Sequence, residues 1–472
     1  MGTDAWLQLT ISMLIALAIA LGALRLCGRP TKWSTTVIVV LWAIMAVGIT
    51  LNVYQATAQC DATLTDPKLL NPDIWRYWAQ SCAIFERIPF PDEHSVPIFC
   101  YVTAGIWWLF GKSLVYPLAL NVTLTLISVV LVGLVSRKLL AGQIKSLSDD
   151  AVSALAMTLI AAVTNYVGFG MVMLREPSDY LGFMLASLCL VDLFQGRKIT
   201  LKSAVAFIAG VALLACNRPA SVCFIILGIV LLSIRGLRTQ WKSGLVLTVV
   251  AVAAAVGGMS FTNEKSWAHV HIVRGDSSMG RKFIANNDTV NDYRYTHYNK
   301  LIGPYYNTPV LNRLSVLPIT ATVQAIVPFP WGFERDMKYG YTQAYNHVGY
   351  PWYAIAGIIA FYYLWLWWRV CKNDKTTPKN RLLRWLSLWR QDPLHLWALW
   401  ALACWLVIAF LYAGSVSRYA MPMVQLLIPL AVVIIDRLKA GYDRKPFSIW
   451  ATTYVVIMAA GLIICYHLQT NL

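Results

Sequence analysis

The sequence is poor in charged residues and lacks the motifs by which soluble enzymes are usually recognised. Charged side chains make up 13% of its 472 residues, against about 25% in typical soluble proteins, whereas 58% of the residues are hydrophobic. Its ten cysteines form no CxxC pair and its seven histidines form no HExxH motif. These absences exclude a soluble globular enzyme. No cofactor is indicated, and a divalent metal, although possible, has no motif to support it.

Acidic residues are scarcer than basic ones, at 22 against 39, which gives a formal charge of +17. In a soluble protein this excess would suggest a nucleic-acid partner. Here the basic residues lie in short connectors between apolar runs, which is the distribution that the positive-inside rule describes. No basic and aromatic patch on a soluble module accompanies them, so we expect no nucleic acid among the partners.

Long apolar runs recur along the whole chain, and a run of about 20 residues suffices to cross the hydrocarbon core of a bilayer. Only helices and closed barrels satisfy their backbone there. The sequence therefore predicts an all-α polytopic membrane protein with about 12–13 transmembrane helices, forming one integral domain over residues 1–472. The predicted spans include those near 150–171, 243–260 and 419–436. The membrane lipids are its first expected partners.

Two long polar segments, 58–95 and 262–347, are predicted on the side opposite the basic connectors, which is the outer face. The basic connector after 137 requires an odd number of crossings between 95 and 137. Either one of the segments 96–111 and 114–136 is interfacial or re-entrant, or the charge rule does not hold here. Whether 314–331 crosses the membrane is left open.

The first polar segment contains Asn71-Pro-Asp-Ile-Trp-Arg-Tyr-Trp-Ala-Gln80. Asn71 is a favourable helix N-cap and Pro72 suits the first helical position. Asp73 with Arg76 and Tyr77 then shares one helix face at i, i+3 and i+4. Asp73 either completes the helix start or acts as a catalytic base at the membrane surface, and this stretch by itself does not decide between the two.

Three short turns on the same predicted side carry further ionisable residues: Arg175 with Glu176, then Arg218, then Arg418 before Tyr419. Each one alone is explained by a charge at the end of a span. Ionisable residues near a bilayer are nevertheless costly and tend to mark a site or a pathway. Their shared side favours a functional site, because the opposite side is expected to hold only ordinary connectors.

Short motifs in this order resemble the GT-C membrane glycosyltransferases, which include protein O-mannosyltransferases and lipid A aminoarabinose transferases. The matching stretches are Pro72-Asp-Ile-Trp-Arg-Tyr-Trp-Ala79, His94-Ser-Val-Pro97, Leu109-Phe-Gly111, Leu118-Ala-Leu-Asn121, Leu174-Arg-Glu-Pro177, Asn217-Arg-Pro219 and Ser415-Val-Ser-Arg-Tyr-Ala-Met-Pro422. The family often has two neighbouring acidic residues in the first outer loop, and here only Asp73 fits well.

The resemblance implies transfer of a sugar from a polyprenyl-phosphate-linked donor to a glycan, lipid or protein acceptor. The active site would lie on the outer face of the membrane. In a bacterial inner membrane, this is the periplasmic face. Asp73 would be the general base, and direct displacement would invert the anomeric centre. Candidate substrate- and phosphate-binding residues are Arg76, Tyr77, His94, Arg175, Glu176, Arg218, Arg418 and Tyr419.

Two other functions remain open at this point. A glycan polymerase or ligase would use the same fold for a different transfer. A transporter or lipid flippase would be expected to show inverted repeats and charges within the spans. The sequence has its charges at span ends, which favours surface chemistry.

Overall fold

All regular structure in the described part of the chain is helical. The computed structural model describes residues 3–28, 30–60, 65, 72–90, 95–231, 241–262, 317, 350–372, 392–412 and 417–470. The helices are α1 (Thr3–Cys27), α2 (Lys32–Cys60), α3 (Pro72–Glu86), α4 (Ile98–Phe110), α5 (Val115–Leu140), α6 (Asp149–Ala161), α7 (Thr164–Phe169), α8 (Glu176–Phe194), α9 (Leu201–Asn217), α10 (Val222–Leu231), α11 (Trp241–Phe261), α12 (Tyr350–Lys372), α13 (Pro393–Tyr412), α14 (Ser417–Lys439) and α15 (Arg444–Thr470).

Six segments of these helices are long and apolar enough to cross a membrane. They are Trp6–Cys27, Lys32–Leu51, Val115–Leu140, Glu176–Phe194, Trp241–Phe261 and Met421–Lys439. The prediction of an all-α polytopic membrane protein is confirmed. The total of 12–13 spans extends over residues outside the described ranges and stays a prediction, as do the placements of 262–347 and 314–331.

The two apolar segments after the first loop differ in length. α4 has 13 residues and α5 has 26, which correspond to about 20 Å and about 39 Å of helix. The shorter one cannot cross a hydrocarbon core about 30 Å thick. Helix length therefore favours α4, which packs against α3, as the segment that does not cross.

The prediction of one continuous span near 150–171, made from hydropathy, is wrong. α6 ends at Ala161, and the six-residue α7 follows before a turn at 170–175. Gly170, directly after α7, lies so close to α5 that a Cβ there would be 2.4 Å from Thr125 Oγ1. This close approach to α5 holds the turn inside the bundle.

α5 is central and contacts α1, α6 and α8, while α8 packs closely against α9. Small residues allow this approach, as in many membrane helix pairs. A Cβ on Gly210 of α9 would lie 2.6 Å from the Gly182 carbonyl oxygen of α8. α8 begins at Glu176 and α9 ends at Asn217, so the pair brings these two ends together.

The opposite end of the bundle holds more than ordinary connectors. Asp436, near the end of α14, accepts hydrogen bonds from the backbone N–H groups of Lys145, Ser146 and Leu147 at 2.7–2.9 Å. The Ser146 hydroxyl donates to the same carboxylate at 2.9 Å. We call this arrangement the Asp436 clasp, and it joins the α5–α6 connector to α14.

Candidate functional site

The site begins in the first turn of α8. Arg175 precedes the helix, Glu176 is its first residue and Pro177 is its second. Proline suits the first turn because the N–H that it lacks would have no intrahelical partner there. Glu176 and Asp179 both complement the positive end of the helix. Their i, i+3 spacing places them on one helix face.

The facing element is the end of α9. Asn217 is its last residue, and Arg218 leaves the helix with φ −152° and ψ 89°. An extended conformation is expected for the residue before Pro219, since proline disfavours a helical conformation in its predecessor. The proline therefore ends α9 and fixes the backbone from which Arg218 reaches α8.

Arg218 joins both acidic residues of α8. Its Nη2 donates to Glu176 Oε1 at 3.0 Å, and its Nη1 lies 3.5 Å from Asp179 Oδ2. Asn217 Nδ2 donates to Asp179 Oδ1 at 2.7 Å. Glu176 and Asp179 are fully buried, and Arg218 is 9% exposed. We call Arg175, Glu176, Asp179, Asn217 and Arg218 the Arg218 cluster.

The side chains of Arg175 and Asn217 each donate a hydrogen bond to the backbone carbonyl of the other residue. Arg175 Nη1 donates to the Asn217 carbonyl oxygen at 3.0 Å, and Asn217 Nδ2 donates to the Arg175 carbonyl oxygen at 3.0 Å. These contacts cross between the start of α8 and the end of α9. They make the two helix ends one rigid support for the charges.

A third helix holds the turn before Arg175. Asn121 of α5 is fully buried, and its Nδ2 donates to the carbonyl oxygens of Val172 and Leu174 at 2.6 and 2.8 Å. The motif Leu118-Ala-Leu-Asn121 thereby gains a physical role. Its asparagine donates hydrogen bonds to two backbone carbonyls that accept none from within a helix. These bonds fix the position of the turn before Arg175.

Below the cluster, two tyrosines stack. The rings of Tyr166 and Tyr180 lie 4.2 Å apart at 17°, and both residues are fully buried. Tyr166 donates its hydroxyl to Gln425 Oε1 of α14 at 3.0 Å. Gln425 Nε2 in turn donates to the Tyr180 carbonyl oxygen at 3.4 Å. These contacts tie α14 to the same end of α8.

Several buried polar atoms at this place have no hydrogen-bond partner among the described residues. They are Arg175 Nε, the Tyr180 hydroxyl and Asn217 Oδ1. A buried donor or acceptor without a partner costs about 1–3 kcal/mol, and native proteins leave few of them. Their concentration around one charged cluster is typical of a site that binds a polar ligand.

α3 lies beside this cluster. Tyr77 of this helix is buried, at 4% exposure, and it interacts electrostatically with Arg175. Burial lowers the pKa of the Arg175 guanidinium, but Tyr77, Asp179 and Glu176 act in the opposite sense, and the pKa is raised above its usual value. Arg175 is therefore charged at any physiological pH.

The structure brings some of the predicted residues together and is silent on others. Arg175, Glu176 and Arg218 share one cluster, and Tyr77 stands beside it. α3 begins at Pro72 as predicted, which puts the backbone of Asp73 in its first turn, and Arg76 is half-buried on the same helix. Outside the described residues or side chains lie Asn71, the side chain of Asp73, His94, and the side chains of Arg418 and Tyr419.

The backbone of α14 nevertheless gives the end of the bundle at which Arg418 lies. Arg418 is in the first turn of α14, seven residues before Gln425, which is about 10 Å along the helix. Gln425 bonds the backbone of Tyr180, one turn after Glu176. α14 therefore starts at the end of the bundle that carries the Arg218 cluster.

Sequence reasoning gave no site role to Asp179, Tyr180 or Asn217. For Asp179, the i, i+3 spacing from Glu176 on a helix was the available signal. Tyr180 reads as an ordinary apolar-span residue, and nothing in the sequence marks its hydroxyl as unsatisfied. Among the described residues, no group of three or more His, Cys, Asp or Glu side chains is arranged to hold a metal ion.

Comparison with known proteins finds a distant likeness. No protein-family model matches the sequence, and no curated protein matches it significantly. The archaeal oligosaccharyltransferase AglB from Archaeoglobus fulgidus, solved with an inhibitory peptide and a dolichol-phosphate, is 14% identical with a TM-score of 0.45. The match covers 93% of this chain and 55% of the archaeal one, so the chain spans about half the length of AglB.

ArnT from Cupriavidus metallidurans, solved in the apo state, is also 14% identical, with a TM-score of 0.31 over 84% of this chain and 76% of ArnT. Both proteins are GT-C glycosyltransferases, the superfamily that the motifs resemble. Because both TM-scores are below 0.5, neither likeness indicates a function for this chain.

Proposed function

We propose that this protein is a glycosyltransferase that moves a sugar from a polyprenyl-phosphate-linked donor to a glycan, lipid or protein acceptor. The reaction would occur at the membrane surface where α3 lies, the periplasmic face if the membrane is a bacterial inner membrane. The observation that carries the proposal is the pair of arginines, half-buried Arg175 and buried Arg218, at the ends of two apolar helices. Around them, buried polar atoms of Arg175, Tyr180 and Asn217 have no hydrogen-bond partner among the described residues.

Stability alone gives no reason to keep such a cluster. Removing charges from water costs several kcal/mol per ion, and a hydrophobic replacement of a buried ion pair is often neutral or stabilising. A cluster serving only stability would also be expected to satisfy its polar atoms. The arrangement is better explained by a ligand that supplies the missing partners.

A lipid-linked sugar phosphate has the chemistry that these residues fit. The leaving phosphate needs cationic donors, and the planar guanidinium pairs with phosphate through two hydrogen bonds. Glu176 orients Arg218 through the 3.0 Å contact. Asp73, at the start of α3, would take the proton of the attacking acceptor hydroxyl. Direct attack inverts the anomeric centre, which the anomeric configuration of the product tests.

The charges of the described cluster balance, with two arginines against two carboxylates. A bound phosphate therefore needs a further cation. Our first candidate for this cation is Arg418, in the first turn of α14 at the same end of the bundle. Arg76 on α3 is the second candidate. His94 and Tyr419 keep their proposed place among the groups that contact substrate.

The first experiment replaces Asp73 by Asn in the host organism, with the native gene deleted. The envelope glycans and lipid A are then compared by mass spectrometry. We expect loss of one modification at normal protein abundance, because the amide cannot act as a base. Glu86→Gln is the matched control, since Glu86 ends the same helix and pairs with Lys112 at 2.9 Å. An unchanged profile with Asp73→Asn would remove Asp73 as the base.

A second experiment tests the phosphate site without knowledge of the sugar. Purified protein in nanodiscs is titrated with undecaprenyl phosphate and, separately, with undecaprenol, and binding is read by native mass spectrometry. We expect phosphate-dependent binding that weakens about tenfold or more in Arg218→Lys, which keeps the charge but loses the paired donors. Arg444→Lys, at the opposite end of the bundle, is the control. Equal binding of the two lipids would refute the phosphate site.

A further inference from the structure

A polar cleft lies at the end of the bundle opposite the Arg218 cluster. It is formed by the connected ends of α1 and α2 and by the facing ends of α5 and α6. Its enclosed part measures about 20 Å³, room for one water-sized group, and the larger empty volume of about 320 Å³ includes space outside its mouth. The adjacent Lys138 pairs with Asp192. Asp192 is 16 residues after Glu176 on α8, which is about 24 Å along the helix.

Two opposite charges line this cleft. Arg137 Nη2 donates to the Cys27 carbonyl oxygen at 2.9 Å, and its Nη1 lies 3.8 Å from Asp150 Oδ1. The second distance is too long for a hydrogen bond. The side chains are 27% and 50% exposed, respectively. Within the described residues, Arg137 Nε and Nη1 make no hydrogen bond, so both charges still have bonding capacity toward the cleft.

The cleft has an apolar side as well. Leu24, Val130 and Leu134 line it together with the charged pair. All three lie on the span side of the charged residues, as do Ser34 and Ser153, and Leu24 and Val130 are buried. A phospholipid head group at this cleft would therefore meet mainly the charges at its mouth.

The cleft is flanked by exposed apolar and aromatic side chains. Leu26 beside Cys27 is 90% exposed, and Trp33 at the start of α2 is 43% exposed. Tryptophan is enriched at the level of the lipid head groups. The cleft thus opens where a lipid of the bilayer can enter sideways.

We propose that this cleft binds a zwitterionic phospholipid with a primary ammonium group, phosphatidylethanolamine. Its phosphate pairs with Arg137 and its ammonium with Asp150. Asp150 disfavours an anionic lipid by repelling its phosphate. The same carboxylate favours ethanolamine over choline, because a primary ammonium donates hydrogen bonds and a quaternary one does not. This site is separate from the proposed transferase site and does not depend on that function.

The test uses full-length protein in nanodiscs made from equal parts of phosphatidylethanolamine, phosphatidylglycerol and phosphatidylcholine. Lipids retained on the protein are counted by native mass spectrometry. We expect phosphatidylethanolamine to be enriched about fivefold over each of the others, as one partly exposed charge pair allows. Asp150→Asn should remove that preference and favour phosphatidylglycerol, and Arg137→Gln should lower retention of all three phospholipids, because each of them carries a phosphate.

Matched controls separate the site from general charge. Asp149→Asn makes the same change one residue earlier in α6, outside the cleft, and Lys198→Gln removes an exposed cation at the same end. Both should retain the wild-type lipid profile. The proposal is overturned if wild type shows no preference or prefers phosphatidylglycerol, or if Asp149→Asn changes the profile as much as Asp150→Asn. Thermal unfolding of each variant shows that the fold is retained.

Discussion

The two ends of the bundle handle buried charge in opposite ways. At the Asp436 clasp, one carboxylate that is 1% exposed receives four hydrogen bonds from a connector. At the Arg218 cluster, the charges balance, yet polar atoms of Arg175, Tyr180 and Asn217 remain without a partner among the described residues. A network that is complete within the chain holds the fold. One that is incomplete is a place where another molecule can bind.

The largest effect is expected for Arg218→Ala. It leaves Glu176 and Asp179 buried without their cation, and breaking a buried pair in this way costs about 3–5 kcal/mol. We expect a loss of that size in the free energy of unfolding, measured by denaturant titration in detergent. The cause is checked with Arg218→Met combined with Glu176→Gln, which removes one charge of each sign and leaves Arg175 balanced by Asp179.

The combined variant should recover most of the stability and none of the sugar transfer. This outcome would separate the cost of unpaired charge from the function of the arginine. Recovery of transfer along with stability would mean that the cluster is a structural feature like the clasp, and the contrast between the two ends would fail.

The next effect is at the clasp itself. Asp436→Ala removes the acceptor for four donors, and hydrogen bonds to charged groups contribute about 1.5–3 kcal/mol each without adding fully. We expect a loss of about 2–4 kcal/mol in unfolding free energy, read by the same titration. Transfer per folded molecule should be unchanged.

Asp443→Asn is the control for the clasp. Asp443 pairs with Arg437 at 2.6 Å and has a positive φ of 54°, which asparagine also adopts readily. Because this pair is partly exposed, we expect a loss of about 1 kcal/mol or less. A loss in Asp436→Ala no larger than the control's would contradict the role of the clasp.

The sequence predicts the helices well because apolar runs and basic connectors are local signals. The predicted spans near 243–260 and 419–436 correspond to α11 and α14. The break between α6 and α7 was missed because the apolar run continues through Ala162 and Val163, so hydropathy does not mark it. Contacts between helices that are distant in the sequence cannot be recognised from the local amino-acid pattern.

The same limit applies to the site. Arg175, Glu176 and Arg218 were recognised because charges stand out in an apolar sequence. That Asn121 supports the Arg175 turn, and that Asp179 shares Arg218 with Glu176, depends on how α5, α8 and α9 pack. The clasp was missed for a related reason, since its donors are mainly backbone N–H groups, which every residue but proline has.

The smallest effect on stability gives the finest test of the contrast. Tyr166 and Tyr180 are stacked and equally buried, but among the described residues the Tyr166 hydroxyl has a hydrogen-bond partner, Gln425, and the Tyr180 hydroxyl has none. Tyr166→Phe should cost about 1 kcal/mol of unfolding free energy, because Gln425 Oε1 loses its donor. Its transfer rate per folded molecule should equal that of wild type.

Tyr180→Phe removes a hydroxyl that bonds nothing among the described residues, so its unfolding free energy should be unchanged or slightly higher. If that hydroxyl contacts the substrate, transfer should nevertheless fall about tenfold, the rate equivalent of one lost hydrogen bond. Unfolding titrations and transfer assays on the two variants therefore give opposite patterns from the same chemical change. A stability loss in Tyr180→Phe equal to that in Tyr166→Phe, with transfer intact, would show that both tyrosines serve only the packing of α7, α8 and α14.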